Sequence, residues 1–262
     1  MAINPSITKF GTTEEFYFQL ARDQILNHKH IFKYGFNATV TTSNDTIWLQ
    51  EGSYTWQSAA TVVSVTSSDA NDDGDPVGTG ALTVTLEGLD ANYDEISETV
   101  TLNGTTVVNT DASFLRLHRM FVATAGTGLT NAGTIYAAVT GDTYGTPGVP
   151  DTATGIMSTI GVGEGQTLQA LYTVPAGYTA YVKNISAGSV DGTNATTITL
   201  RQRPVNGAFR TSEKFVAFKG TVTQEHKIPL EFPEKTDLEL KGDSALSTTD
   251  VAGSFDVILV KN

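Results

Sequence analysis

The stretch SSDANDDGDPVGTG (67–80) holds four aspartates at a spacing that suits oxygen ligands of a metal ion. Counted from Asp69, it matches the D-x-[DN]-x-[DN]-G start of a helix-flanked calcium loop. The twelfth position, however, is Gly80 instead of a bidentate glutamate, and strand-like runs flank the loop. The sequence excludes that loop type and favours an exposed hairpin tip. The residues left as weaker candidates for a different cation site are Asp69, Asn71, Asp73 and Asp75.

Other groups capable of chemistry are isolated in the sequence. His28 and His30 would share one face of a strand, as zinc ligands can, but no third ligand is evident. Cysteine is absent, and no G-x-S-x-G motif places a serine nucleophile. GVGEGQ (161–166) precedes a strand-like run and is interpreted as a turn. We therefore expect no enzyme activity, no cofactor and no metal site.

The charge and hydropathy of the chain disfavour several classes of binding partner. The net charge of −12 disfavours binding to nucleic acid or to an anionic membrane. No run approaches the ~18 apolar residues of a spanning helix, and the N-terminal residues do not resemble a signal peptide. Arginines within strand-like runs are expected to pair with carboxylates. They are Arg116, Arg119, Arg201, Arg203 and Arg210.

The elements that must position these groups are predicted to be strands. ALTVTLEGL (81–89) and ISETVTLNG (96–104) alternate apolar and polar residues, which is typical of half-buried antiparallel strands, and they are predicted to form a hairpin. The C-terminal 100 residues show turns every 8–12 residues, the spacing of a sandwich or jelly roll. We predict an all-β fold of jelly-roll-like antiparallel sandwiches, in which the last strand is central.

The predicted organisation has three parts. Residues 1–35 form an extended N-terminal arm, residues 36–148 a β-sandwich, and residues 149–262 a jelly-roll-like sandwich, with the alternative that the two sandwiches interlock as one unit. Within the arm, Thr12 and Glu15 could cap a helix, but successive aromatic residues favour a strand. We predict that Phe16, Tyr17 and Phe18 form an interface with a neighbouring protein.

Four longer runs of the sequence belong together as a set. They are GTGALTVTLEGLDANYDEISETVTLNGTT (78–106), FLRLHRMFVATAGTGLTNAGTIY (114–136), LYTVPAGYTAYV (171–182) and the C-terminal run from PLEFPEKTDLELKGDS to TDVAGSFDVILVKN (229–262). Together these runs are similar to structural proteins of tailed bacteriophages, especially phages of cyanobacteria and other aquatic bacteria. They cover roughly three quarters of the chain in the family's order, and they are specific as a set.

The resemblance implies a non-enzymatic virion protein, most plainly a decoration or cement protein on the capsid exterior. The implied partners are the major capsid protein and further copies of this chain, and a homotrimer is expected from typical capsid symmetry. The alternative is a tail or fibre module that binds a host receptor or glycan. Aromatic residues that could stack on sugars in that case are Tyr54, Trp56, Tyr144 and Tyr172.

Overall fold

Strands make up most of the chain. In the computed structural model, which describes residues 15–190 and 194–262, one short α-helix and sixteen strands are present, and every strand pairing is antiparallel. The elements are α1 (Phe16–Ala21), β1 (His28–Val40), β2 (Asp45–Thr46), β3 (Thr61–Ser67), β4 (Ala81–Leu89), β5 (Glu95–Thr101), β6 (Val108–Phe114), β7 (Arg116–Ala125), β8 (Ile135–Val139), β9 (Ile156–Ile160), β10 (Leu171–Thr173), β11 (Tyr178–Ser189), β12 (Thr196–Arg203), β13 (Arg210–Ala217), β14 (Gly220–Phe232), β15 (Asp237–Ser244) and β16 (Thr249–Lys261). The predicted all-β fold is confirmed.

Two facing sheets have the strand order of a jelly roll. The first sheet runs β1-β16-β11-β14 and the second β10-β15-β12-β13. Strand β2 lies end to end with β10 along β15, because residues 45–46 pair with 241–242 and residues 171–173 pair with 237–239. Together β2 and β10 occupy one strand position, which gives the eight positions of a jelly roll. We call residues 28–46 and 171–262 the jelly-roll sandwich.

The chain between β2 and β10 forms a second sandwich. Its sheets run β6-β3-β8-β9 and β5-β4-β7, and its core includes Val84, Leu86, Phe114 and Met120. We call residues 61–160 the inserted sandwich. The predicted hairpin is confirmed, since β4 pairs with β5 from Thr83 opposite Thr101 to Leu89 opposite Glu95.

The predicted boundaries do not coincide with these sheets. The division after residue 35 falls within β1, which pairs with β16 along most of its length. The division after residue 148 precedes β9, which pairs with β8 of the inserted sandwich. Both differences arise because strands far apart in the sequence share a sheet, which local patterns do not reveal.

The predicted strand at the N-terminal aromatic residues is wrong. Residues 16–21 form helix α1, and the Glu15 carboxylate accepts a hydrogen bond from the Phe18 amide at 3.0 Å. That cap satisfies an amide that the first helical turn leaves without a partner, and it outweighs the strand preference of the aromatic residues. Residues 1–14 of the predicted arm lie outside the described residues.

The last strand is central, as predicted. Strand β16 lies between β1 and β11, and its alternate residues from Val251 to Leu259 are buried while those between them are partly exposed. Phe255, Val257 and Leu259 contribute to the jelly-roll core. Because of this strict period of two, one side of β16 faces the opposing sheet and the other side faces outward.

Candidate functional site

Strand β1 turns its more aromatic side outward. Ile31, Lys33, Gly35 and Asn37 point inward, where Ile31 packs against the jelly-roll core and Asn37 is fully buried. The alternate set contains Phe32 and Tyr34, whose exposed fractions are 58% and 41%. A strand normally buries its apolar set. The reversal leaves two aromatic rings in solvent on the outer face of the sheet.

Helix α1 carries three more exposed rings beside this strand. Phe16, Tyr17 and Phe18 are all exposed, Phe18 to 58%, while Leu20 behind them is buried. The edge of the Phe16 ring faces His28 of β1, with centroids 6.3 Å apart. We call the five residues the aromatic surface: Phe16, Tyr17, Phe18, Phe32 and Tyr34. The three rings predicted as an interface thus lie on a helix, and two rings that the sequence did not single out lie on β1.

A lysine holds the helix against the outer face of the sheet. The Lys183 ammonium lies 3.9 Å from the centre of the Tyr17 ring. Hydrogen bonding with the Tyr17 side chain raises the pKa of Lys183. A cation over an aromatic face is attracted by the ring quadrupole, so Tyr17 both orients the helix and takes part in the aromatic surface.

The candidate calcium loop is a crossover between sheets and not a hairpin tip. Strand β3 before it and β4 after it belong to different sheets of the inserted sandwich. Asp69 accepts hydrogen bonds from the backbone and side chain of Asn71, and Asp73 accepts one from the Asp75 amide. The candidate ligands therefore make local turn bonds of the kind that Asx turns use.

Asp72, which the sequence did not single out, organises this loop. Its side chain is fully buried and accepts hydrogen bonds from the Ser67 hydroxyl at 2.6 Å and from three backbone amides. Those amides belong to Ala81, Ala132 and Gly133, at 2.7 to 2.8 Å. A carboxylate with this many donors is a structural anchor.

The histidines do not come together. His28 contacts the Leu26 carbonyl through Nδ1, whereas His30 lies 2.8 Å from Asp256. His118 accepts a hydrogen bond at Nε2 from the Thr173 amide. Across residues 15–190 and 194–262, no cluster of three or more His, Asp or Glu side chains is placed to hold a metal ion. In the same ranges, no helix has the length and apolar character to cross a bilayer.

Buried charges join the two sandwiches. Arg116 of β7 donates to both carboxylate oxygens of Asp237 on β15, at 2.9 and 3.2 Å, and is only 4% exposed. Arg203 and the Thr173 hydroxyl also donate to Asp237. Arg201 pairs with the fully buried Glu239 at 2.7 Å. Carboxylate pairing, predicted for five arginines, is confirmed for these three and for Arg119, which lies 4.0 Å from Glu87.

Aromatic rings pack against these charged side chains. Trp56 lies between Tyr54 and Phe209, and the guanidinium groups of Arg116 and Arg203 lie 5.1 and 5.4 Å from its ring centre. Tyr54 and Tyr172 are buried, and burial raises the pKa of each. Of the four rings named for sugar stacking, these two cannot present a face to a ligand.

A cleft of about 710 Å³ opens between the sandwiches on the side of β1. One wall is residues 30–34 of β1. The other walls are formed by residues 87–88 and 95–97, by His118 and Arg119, and by residues 166–168. The cleft is therefore bounded by both sandwiches and by the segment that reconnects them.

Lys33 lines this cleft and is almost fully buried. Its ammonium group donates to the His118 carbonyl, and 8% of the residue is exposed. Burial, together with a smaller effect of the Arg119 charge, lowers the pKa of Lys33 to about 7, while Glu87 opposes the shift. Burial also holds the pKa of His118 well below its usual range, and Lys33 and Arg116 add to this effect. His118 is accordingly a neutral acceptor.

Sequence patterns predicted only some of the residues that form this site. Lys33 stands in an alternating run whose two faces each mix polar and apolar residues, so the period of two does not say which face is inward. Asp72 looks like its neighbours Asp69 and Asp73, and only the folded loop distinguishes it. Asp237 and Glu239 are two residues apart on one strand, which was the available signal that they share a face.

Comparisons with known proteins add little. No protein-family model matches the chain, and no curated protein matches it. Among solved structures, one of the infectious bursal disease virus Gx strain aligns at 10% identity over 97% of this chain and 83% of that chain, with a TM-score of 0.21. A VP2 subviral particle of infectious bursal disease virus aligns at 10% identity over 90% and 82%, with a TM-score of 0.12. Scores of this size do not establish a common fold.

Proposed function

We propose that this protein is a non-enzymatic virion structural protein that docks on the capsid exterior and reinforces the joins between capsid subunits. The observation that carries the proposal is the outward-facing aromatic surface. Aromatic side chains are enriched at protein interfaces and often dominate their energetics. The proposed partners are the major capsid protein and further copies of this chain, arranged as a trimer.

The energetics suit a docking role. At ~25 cal/mol per Å², burying roughly 500 Å² of apolar surface contributes about 12 kcal/mol before the costs of association. Five rings can supply much of that area, since an aromatic side chain buries about 150–250 Å² when fully covered. The aromatic surface is therefore large enough to act as an anchor.

Charge and architecture agree with an exterior position. The net charge of −12 would oppose contact with packaged DNA inside a shell. A jelly roll is one of the architectures that capsid and lectin domains share, but a fold alone does not assign a function. The sequence resemblance to tailed-phage structural proteins supports the capsid over the other uses of the fold.

The test is reconstitution of decorated particles. Purified protein is added to capsids that lack it, and bound copies are counted by quantitative mass spectrometry and by imaging. Wild type should bind in hundreds of copies. Phe16→Ser with Phe18→Ser, and separately Phe32→Thr with Tyr34→Thr, should reduce occupancy at least tenfold.

The matched control replaces an exposed apolar residue elsewhere. Ile228 on β14 is 86% exposed and lies outside the aromatic surface. Ile228→Thr should leave occupancy unchanged. Full occupancy by both aromatic variants would overturn the docking surface. A handful of copies per particle, located on the tail, would favour the receptor-binding alternative instead.

A further inference from the structure

Strand β1 has an open edge that faces the cleft. In the described part of the chain β1 pairs with β16 alone, so it forms one end of its sheet. Five consecutive residues, 30–34, line the cleft. In an antiparallel strand, half of the backbone N–H and C=O groups point away from the existing partner. A strand laid along this edge would pair with them.

The charged groups of the cleft leave Lys33 without a carboxylate. Glu95 pairs with Lys29 at 2.7 Å, and Glu87 lies 4.0 Å from Arg119. Among the described residues, Lys33 forms no ion pair, and its ammonium group donates to the His118 carbonyl. A buried ammonium group that lacks an anionic partner is unfavourable. The cleft is therefore suited to receive a negative charge at this point.

We propose that the cleft binds an extended peptide segment that pairs with the open edge of β1 and places a carboxylate side chain against Lys33. Five paired residues would span about 17 Å. This inference rests on the proposed function only for the source of the segment, which would be a neighbouring virion protein. Recognition of this kind is strand addition, in which backbone bonds supply affinity and alternate side chains supply specificity.

The pairing register with β1 determines which side chains of the bound segment face inward and which face outward. Side chains of an added strand point to the same two faces as those of β1. A carboxylate next to Lys33 must therefore point inward, and its two neighbours must point outward beside Phe32 and Tyr34. The segment should carry an acidic residue between two apolar ones, in an extended stretch of at least five residues.

The probe is the peptide acetyl-Ser-Thr-Val-Glu-Val-Thr-Ser-amide, added to the full-length protein up to millimolar concentration. Binding is monitored by NMR, from the chemical-shift changes of the backbone amides of residues 30–34. A peptide with Gln in place of Glu should bind about tenfold more weakly. A peptide N-methylated on alternate residues, which removes backbone donors, should lose binding.

Protein variants supply the complementary test. Lys33→Gln should weaken the Glu peptide about tenfold and remove its preference over the Gln peptide, whereas Lys214→Gln, at an exposed lysine on β13, should change neither. Equal binding of the Glu and Gln peptides, no binding of either, or unchanged binding of the N-methylated peptide would overturn the proposal. Succinate that binds as tightly as the peptide would overturn it in favour of a small-carboxylate site.

The two proposals fail separately. Phe16→Ser with Phe18→Ser alters α1 and leaves Lys33 and the edge of β1 in place. Peptide binding by this variant should match that of wild type. Full decoration by this variant would overturn the docking surface alone, whereas absence of peptide binding by the wild-type protein would overturn the peptide site alone.

Discussion

At the scale of single residues, Lys33 makes stability depend on pH. Its pKa in the folded protein is about 7, below the ordinary value of 10.5. Between these values the unfolded chain binds more protons, so the free energy of unfolding rises with pH, and the full penalty of the buried charge remains below pH 7. His118 acts in the same direction at lower pH, because its lowered pKa favours the neutral form.

We expect the wild-type free energy of unfolding to rise by up to about 1.4 kcal/mol per pH unit between pH 7 and 9.5. Lys33→Met should remove most of this slope and should be more stable than wild type at pH 6.5. Urea unfolding at four pH values measures both. Lys214→Met serves as the control, and a Lys33→Met slope equal to that of wild type would contradict the assignment.

Asp72 and Asp69 lie three residues apart in the same loop, but their side chains contribute differently to stability. Asp72→Ala would leave three backbone amides and the Ser67 hydroxyl without their acceptor. We expect it to destabilise the protein by about 3 kcal/mol or more, because unsatisfied buried donors are costly. Asp69→Ala removes local turn bonds only and should change stability by less than about 1 kcal/mol. Similar losses for the two variants in urea unfolding would show that Asp72 is not the anchor.

At the scale of elements, β1 crosses the point where the chain leaves and re-enters the jelly-roll sandwich. A Cβ atom on Gly35 would lie 2.1 Å from the Ile47 carbonyl oxygen and 2.5 Å from the Ala170 nitrogen. Both are backbone atoms, and they bond to each other at 3.0 Å. Only glycine allows so close an approach.

Gly35→Ala should therefore destabilise the protein by about 2 kcal/mol or more, since the backbone must move to relieve the overlap. Gly161→Ala is the control, because its added Cβ meets only side-chain atoms, Glu164 Cγ at 3.2 Å and Leu49 Cδ1 at 3.4 Å, and no backbone atom. Thermal unfolding compares the two variants. Equal midpoints would mean that the strands separate easily at this crossing.

Local patterns predicted the elements better than their partners. The alternation in β4 and β5 predicted two strands, and the short polar connection between them predicted their hairpin. The apolar character of the last strand predicted its central position. The pairing of β1 with β16 and the joining of β2 to β10 were not predictable in this way. They depend on contacts across most of the chain, and the capping of α1 by Glu15 overrode the strand preference of its aromatic residues.

At the scale of the whole molecule, the Arg116–Asp237 pair ties together two sandwiches that have separate cores. Removing one partner of a buried pair leaves a charge uncompensated, at a cost of about 3–5 kcal/mol. Arg203 and Thr173 still contact Asp237, so we expect the lower end of that range for Arg116→Met.

Calorimetry tests whether this link couples the sandwiches. Wild type should unfold in one transition, whereas Arg116→Met should show two, as each core then unfolds at its own temperature. Arg119→Met, which breaks an exposed pair with Glu87 and an exposed hydrogen bond to Gln166 but no buried ion pair, should keep the single transition. Two transitions in wild type would show that the sandwiches unfold independently.

The inserted sandwich separates β1 from most of the jelly-roll sandwich in the sequence. This separation determines the order in which the two sandwiches can fold during synthesis. Strand β1 leaves the ribosome about 200 residues before β16, the one strand with which it pairs in the described part of the chain. At about 5–20 residues per second, that interval lasts on the order of tens of seconds. The inserted sandwich has all of its strands within this interval and can fold first. Newly made β1, with its aromatic side chains, must remain unpaired until translation is nearly finished, which makes the nascent chain a natural client of chaperones.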